Sequence, residues 1–329
     1  MGHFIAAKKL GIKVEEFGIG YPPRLFGKKF GETIYSINLI PFGAFVRIEG
    51  EEEKVKSKRS FSEKPIWQRA IIIMGGVITF WIVSFLIFSL ISGIWGLPTA
   101  VPDSYQGEAF IQIIAIAPDS PADEAGIKVG DKILGLNKIE DVQKFTELYK
   151  GEKVRLNLLR NGEEKSVVLT PRINPPEEEG AMGIALARIA KIKTPWYKAP
   201  LKGAEVTVVK TIQIPVFLGN YIWRAIQGEK VTGLKVAGPV GVAGIMSNAL
   251  KAGVDNFLMF LSMISIWLAI VNILPIPALD GGRLFFLIIE GIRKKPVSQK
   301  IEQKITVLFF TLLIVLMIFV TIKDIVNLF

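Results

Sequence analysis

The residue best placed to do chemistry in this sequence is Asp280, in the stretch Asn272-Ile-Leu-Pro-Ile-Pro-Ala-Leu-Asp-Gly-Gly-Arg283. It follows an apolar run, Phe257 to Ile273, long enough to cross much of a bilayer. Pro275 and Pro277 lack the N–H that a helix needs, so the helix is expected to break there, with the acid just beyond. A carboxylate beside hydrocarbon is costly and normally has a partner or a task. Non-helical backbone at that depth survives only where it is buried in protein or lines a wet cavity. The chemistry implied is the binding of a cation. Asp-Gly is also an ordinary turn signal, and the competing reading makes Asp280 a surface turn residue capping a helix that begins near Leu284. The sequence has one histidine, His3, at its very start, and no cysteine, which excludes disulfides and thiolate metal sites.

The elements that must position these groups are membrane elements. Half of the 329 residues are hydrophobic and the mean hydropathy is positive, the composition of a membrane protein. Three segments read as transmembrane helices: residues 70–97, 256–280 (which carries the Asn-x-x-Pro-x-Pro-x-Leu-Asp-Gly motif) and 305–325. The formal charge is +10. The cations crowd into residues 8–69 and 283–304, beside the spans, so anionic headgroups rather than nucleic acid are the expected partner. Two spans separate these loops, which therefore share a side, the cytoplasmic one by the positive-inside rule. Pro98 to Ala117 has no Lys or Arg and is expected outside.

Residues 1–10 read as the last turns of a first transmembrane helix, apolar up to Ala7 and then cationic. A chain starting inside the bilayer is costly, and the expectation is a truncated chain whose true first span is missing. Residues 13–50 are β-rich. Thr33–Ile40 and Ala44–Ile48, joined at Pro41-Phe42-Gly43, predict a hairpin beside the membrane that offers an edge to another strand. Ile34, Ser36 and Asn38 fall on one face of it, and Tyr35, Ile37 and Leu39 on the other. Residues 51–69 form a charged linker with no evident site. Gly75-Gly76 allows close helix contact. Residues 107–172 predict a small α+β domain. Its Ser-Pro-Ala…Ala-Gly-Ile…Gly-Asp pattern, from Ser120 to Asp131, resembles a bacterial PDZ domain, a fold that binds extended peptides by strand addition. Asn174–Gly180 is a Pro and Glu linker, 196–227 an interfacial amphipathic helix, and Gly238-Pro-Val-Gly-Val-Ala-Gly244 a packing turn before a helix. The fold class expected is an α-helical multi-pass membrane protein with a membrane-associated β-hairpin and an inserted PDZ-like α+β domain.

Gly2-His3-Phe4, Pro41-Phe-Gly-Ala-Phe-Val46, the PDZ-like domain, Gly238-Pro-Val-Gly241 and Asn272…Pro275…Pro277…Leu279-Asp-Gly-Gly282 occur in this order. The ordered set resembles the site-2 protease family of intramembrane zinc metalloproteases, nearest the bacterial regulator-of-sigma-E protease type, over nearly the whole chain. The resemblance implies Zn²⁺ as cofactor, with His3 as the second histidine of His-Glu-x-x-His and Asp280 as the carboxylate ligand. It further implies that Asn272, Pro275 and Pro277 hold or shape the substrate strand, and that residues 13–50 are a membrane-reentrant β-loop. Arg283 stands where relatives often have a histidine and is given no catalytic role. The substrates implied are single-span membrane proteins, such as anti-sigma factors, or signal-peptide remnants. The location implied is the bacterial inner membrane, with the PDZ-like domain on its outer side.

The first His and the general-base Glu of that motif would precede Met1, so no catalytic residue of the motif is present and the chain as numbered is expected to be inactive. One rival reading is a catalytically dead, membrane-anchored PDZ scaffold that binds peptides. A transporter using Asp280 for ion coupling is another, but the inverted repeat it calls for is missing.

Overall fold

The structure is a computed structural model and describes residues 1–51, 55–160, 162–176, 179–228 and 237–326. Parts of the two expected linkers, residues 52–54 and 177–178, lie outside the described residues. In chain order the elements are α1 (Gly2–Lys9), β1 (Val14–Phe30), β2 (Thr33–Ile48), α2 (Ile66–Ile94), β3 (Leu97–Ala100), β4 (Phe110–Ile116), α3 (Pro121–Glu124), β5 (Lys132–Ile133) and α4 (Ile139–Leu148). They continue as β6 (Val154–Arg160), β7 (Glu163–Leu169), β8 (Ile184–Ile192), α5 (Ala199–Ile226), α6 (Pro239–Lys251), α7 (Val254–Ile273), α8 (Asp280–Arg293) and α9 (Gln299–Val326). Among the described residues three helices are long and apolar enough to cross a membrane: Ile66–Ile94, Val254–Ile273 and Lys300–Val326. The chain divides into two compact units. One holds Met1–Ser84 with Ile264–Ile318; the other holds Phe85–Met263 with the stretch from Phe319 onward.

In the first unit, α1 ends where Gly11 takes a positive φ of 70°, with Lys8 and Lys9 in its last turn, where cations suit the helix dipole. Ala7, Ile12, Val14, Ile48 and Ile72 form the core beneath it. The β region differs from the expected hairpin. Thr33–Ile40 and Ala44–Ile48 do not pair with each other; both pair with β1. Residues 16 to 19 face 47 to 44 on one side and 34 to 37 on the other. Against residues 34–37 the two numberings rise together, so that stretch of the ladder runs parallel, although β1 and β2 are antiparallel where Arg24–Phe30 meets Thr33–Asn38. The result is in effect one sheet of four strand segments, ordered 24–30, 33–40, 14–19, 44–48. Ser36 and Asn38 are buried, and Tyr35, Ile37 and Leu39 are exposed, together with Ile19, Tyr21, Leu25 and Phe26. The buried Glu16 carboxylate is held by Arg24 at 2.6 Å and Ser36 at 2.6 Å, which satisfies a charge that would otherwise oppose folding.

In the second unit, a six-stranded sheet runs β3-β8-β4-β5-β6-β7. Alternation places Val154, Leu156 and Leu158 inward, against Ile111, Ile113, Ile133 and Val142. The sheet extends past the expected limits of residues 107–172: β8 and β3 lie outside them and supply two of its strands. Ser120 caps α3 through the Asp123 N–H, with Pro121 in the first turn. Asp131 of the Gly-Asp pair is 1% exposed and takes a bidentate clasp from Arg160 at 2.6 and 2.7 Å. The Gly-Pro-Val-Gly turn opens α6, whose Gly241 N–H donates to Asp324 at 2.7 Å. A Cβ at Gly238 or Gly241 would lie 2.9 Å from that carboxylate oxygen, so the glycines there serve close approach.

Candidate functional site

The site lies in the first unit. The helix breaks where the prolines predict: α7 stops at Ile273, and residues 274–279 form a tight loop closed by Ile276 N–H to Leu274 O and Leu279 N–H to Ile276 O. Asp280 then opens α8. Leu279 is the N-cap and Asp280 the acid of the first turn, so the helix starts four residues before the start expected near Leu284. The two glycines after it are buried because the loop folds back on them. A Cβ at Gly281 would meet Leu274 O at 2.2 Å, and one at Gly282 would meet Ile276 O at 2.3 Å. Thr306 of α9 donates its hydroxyl to Pro277 O at 3.1 Å and fixes the loop from the other side.

His3 and Asp280, 277 positions apart, are brought together. His3 Nε2 stands 3.3 Å from Asp280 Oδ2, with the two side chains 31% and 22% exposed. His3 Nδ1 donates to the Ile72 carbonyl of α2 at 2.9 Å. That bond places a proton on Nδ1 and turns Nε2 towards the carboxylate, the way an outer-shell acceptor orients a ligating imidazole. Space for the pair comes from α2. A Cβ at Gly76 would lie 2.3 Å from His3 Nε2 and 2.9 Å from Asp280 Oδ2. Gly75 plays the matching part for the helix itself, since a Cβ on Gly2 would fall 1.7 Å from Gly75 O. The close helix contact expected of Gly75-Gly76 is therefore present.

The remaining expected residues are placed less closely. Asn272 turns its amide back on its own helix, donating to Leu268 O at 2.8 Å. Among the described residues, no hydrogen bond joins it to His3 or Asp280. Pro275 is exposed, and Pro277 offers its carbonyl to Thr306. Arg283, one turn beyond Asp280, pairs with Glu51. Arg69 grips Glu290 of α8 in a bidentate pair at 2.5 and 3.1 Å. These charges line a cavity of about 460 Å³ with Glu302 and Thr306. The stretch 51–69, expected to be a linker without a site, thus supplies both Glu51 and Arg69 to it. Nothing in the sequence pattern marks Ile72 O or Thr306 as partners: one is main chain and the other an ordinary hydroxyl in an apolar helix.

Among the described residues, no group of three or more His, Cys, Asp and Glu side chains gathers at a metal-binding spacing. The pair supplies two donors. An imidazole nitrogen and a carboxylate oxygen are donor types that fit a zinc ion.

Comparison with known proteins places the chain in a family. Residues 1–316 match the model of peptidase family M50. A Clostridium perfringens protein named as a zinc metalloprotease is 35% identical over 334 residues, 99% of this chain and 93% of the relative. The zinc metalloprotease RasP of Geobacillus kaustophilus is 28% identical, over 99% of this chain and 93% of the relative. The regulator of sigma-W protease RasP of Bacillus subtilis is 27% identical, over 100% and 95%. With that match running over residues 1–316, the chain belongs to peptidase family M50.

Proposed function

We propose that this chain is an intramembrane zinc metalloprotease that cuts single-span membrane proteins such as anti-sigma factors or signal-peptide remnants. The observation that carries the proposal is the His3–Asp280 pair, 3.3 Å apart in a space that only a glycine leaves open, with the imidazole proton parked on Ile72 O. His3 Nε2 and Asp280 Oδ2 would hold Zn²⁺. When bound there, zinc would acidify a water towards neutral pH and polarise a peptide carbonyl. Ile72 O orients the imidazole; Gly76 keeps the pair together; Thr306 and the two glycines hold the loop that presents Asp280. The apolar face of residues 13–50 suits a membrane-reentrant sheet with an edge for an unwound substrate, as hydrolysis of a helical peptide bond requires. Asn272, Pro275 and Pro277 are assigned to that substrate strand. The sheet domain, read as PDZ-like and placed outside the inner membrane, would screen substrates by the bulk of their external part.

The second reading is a membrane-anchored peptide-binding scaffold, resting on the sheet domain read as PDZ-like. One experiment separates the two. The chain, and the chain with His-Glu placed before Met1 so that His-Glu-x-x-His reads through His3, are purified in mild detergent. Zinc content and cleavage of a single-span reporter are then measured. The protease reading expects the extended chain to retain one zinc and to cut, with both properties lost in Asp280→Asn. Equal zinc content in the extended chain and its Asp280→Asn variant sinks it.

A further inference from the structure

The cavity of about 460 Å³ beside the Asp280 loop has an apolar wall and a charged one. Ile73 of α2 and Phe286 and Leu287 of α8 are buried and, with Val307 of α9, make the apolar part. The charges on it are Glu51, Arg69, Arg283, Glu290 and Glu302. Four of these match one another: Arg283 pairs with Glu51, and Arg69 with Glu290. Half-buried Glu302 has Arg283, Glu290 and Arg69 as its charged neighbours, yet among the described residues it makes no ion pair. It lies in the first turn of α9, where the helix dipole favours a negative charge. Both guanidiniums are thus answered and one carboxylate is left over, so the space suits a cation better than a phosphate or a carboxylate. An apolar wall beside an acid fits a lysine or arginine side chain, whose methylene stem lies on hydrocarbon while its charged head reaches the acid. The cavity also shares parts with the metal pair. Arg283 stands one turn beyond Asp280, Thr306 of the lining donates to Pro277 O, and His3 feels the charge of Glu51.

We infer that this cavity is a subsite for a lysine or arginine on the cytoplasmic flank of the substrate's span, and that Glu302 selects it. The inference rests on the protease reading for the identity of the ligand and names what that substrate must carry. Single-span proteins of the inner membrane bear their lysines and arginines on the cytoplasmic side. The five charged residues of the cavity belong to the two stretches read as lying on that side, 8–69 and 283–304. A substrate lying the same way round therefore brings its cations to the cavity when its span reaches His3 and Asp280. Along α8, Arg283 and Glu290 lie about 4.5 and 15 Å beyond Asp280, a reach that an unwound substrate covers in about two to four residues. The pairing also sets the register of the cut. An apolar span is much the same along its length, whereas a cation held by Glu302 fixes which peptide bond lies over the metal pair.

The test uses the full chain in detergent micelles and fluorescein-labelled single-span peptides whose cytoplasmic flank carries lysines, alanines or glutamates. Binding is read by fluorescence anisotropy, and cleavage by the His-Glu-extended chain is read by product mass. The native chain should bind the lysine peptide at least fivefold more tightly than the alanine peptide. That ratio should fall below twofold in Glu302→Gln, and Glu302→Lys should prefer the glutamate peptide. Moving the lysines along the flank should move the cut by the same number of residues. Equal binding of the lysine and alanine peptides to the native chain overturns the inference whether or not any peptide is cut, and needs no variant to fold. A lysine preference that survives in Glu302→Gln, with native helix content by circular dichroism, overturns it too. So does co-purifying phosphatidylethanolamine that is lost in Glu302→Gln while the peptide preference is unmoved, which would give the cavity to a lipid headgroup. A lysine preference in binding, sensitive to Glu302→Gln but without cleavage by the extended chain, supports the subsite and retires the protease reading instead.

Discussion

The proposed pairing of Asp280 with His3 depends on Gly76 not being alanine. A methyl there would sit 2.3 Å from the imidazole nitrogen, in a helix that alanine otherwise favours by about 1 kcal/mol. Gly76→Ala should therefore leave α2 folded, by far-ultraviolet circular dichroism, while zinc retention by the His-Glu-extended chain drops to the level of Asp280→Asn. Undiminished zinc in that variant would show that the pair is not the metal site. A second prediction concerns Glu32, which accepts hydrogen bonds from Arg59 and Lys8 and has its pKa lowered to about 2 from the ordinary 4.5. A depressed carboxyl stabilises the fold in full above its unfolded value and loses that contribution as the pH falls through the folded one. The stability difference between the native chain and Glu32→Gln should be flat above pH 5 and fade between 4.5 and about 2. A difference that grows on acidification would contradict the assignment.

At the scale of elements, α8 is held in place by charge as well as by the loop. Arg69 and Glu290 are 13% and 17% exposed, so removing one partner strands the other in a poorly solvated place. Glu290→Gln should cost on the order of 3 kcal/mol in denaturant unfolding. Arg69→Met with Glu290→Leu should recover most of it; a double variant as weak as the sum of the singles would mean that the pair does not act as one unit. Much of the element level was legible in advance. The apolar runs marked out α2, α7 and α9, because hydrocarbon sets the composition and minimum length of a span, although their ends differ from the expected 70–97, 256–280 and 305–325 by up to seven residues. The prolines marked the break before Asp280, and the Ser-Pro-Ala pattern gave α3. The strand pairing was not legible: Pro41-Phe42-Gly43 reads locally as a hairpin turn, yet the flanking strands find partners in Val14–Phe30, and sequence proximity says nothing about which edge is free. β3 was missed for the same reason, since a proline-bearing segment with one buried residue owes its strand form to the bonds just after it, where Arg188 donates to Pro102 O and Asp103 accepts from the Glu140 N–H.

At the scale of the whole molecule, the absence of cysteine makes topology directly measurable. Lys295→Cys, in the cationic segment between α8 and α9, should react with a membrane-impermeant maleimide only after the inner membrane is opened. Lys165→Cys, on β7, should react in intact spheroplasts. Labelling of both from the same side would overturn the orientation read from the basic loops. The glycines have a wider consequence. Gly2, Gly76, Gly281 and Gly282 each abut backbone or a donor atom at distances no methyl can share, yet none has a group to offer the reaction. A saturation scan scored by zinc retention in the His-Glu-extended chain would flag them as intolerant as Asp280, and a map drawn from tolerance alone would mistake clearance for chemistry.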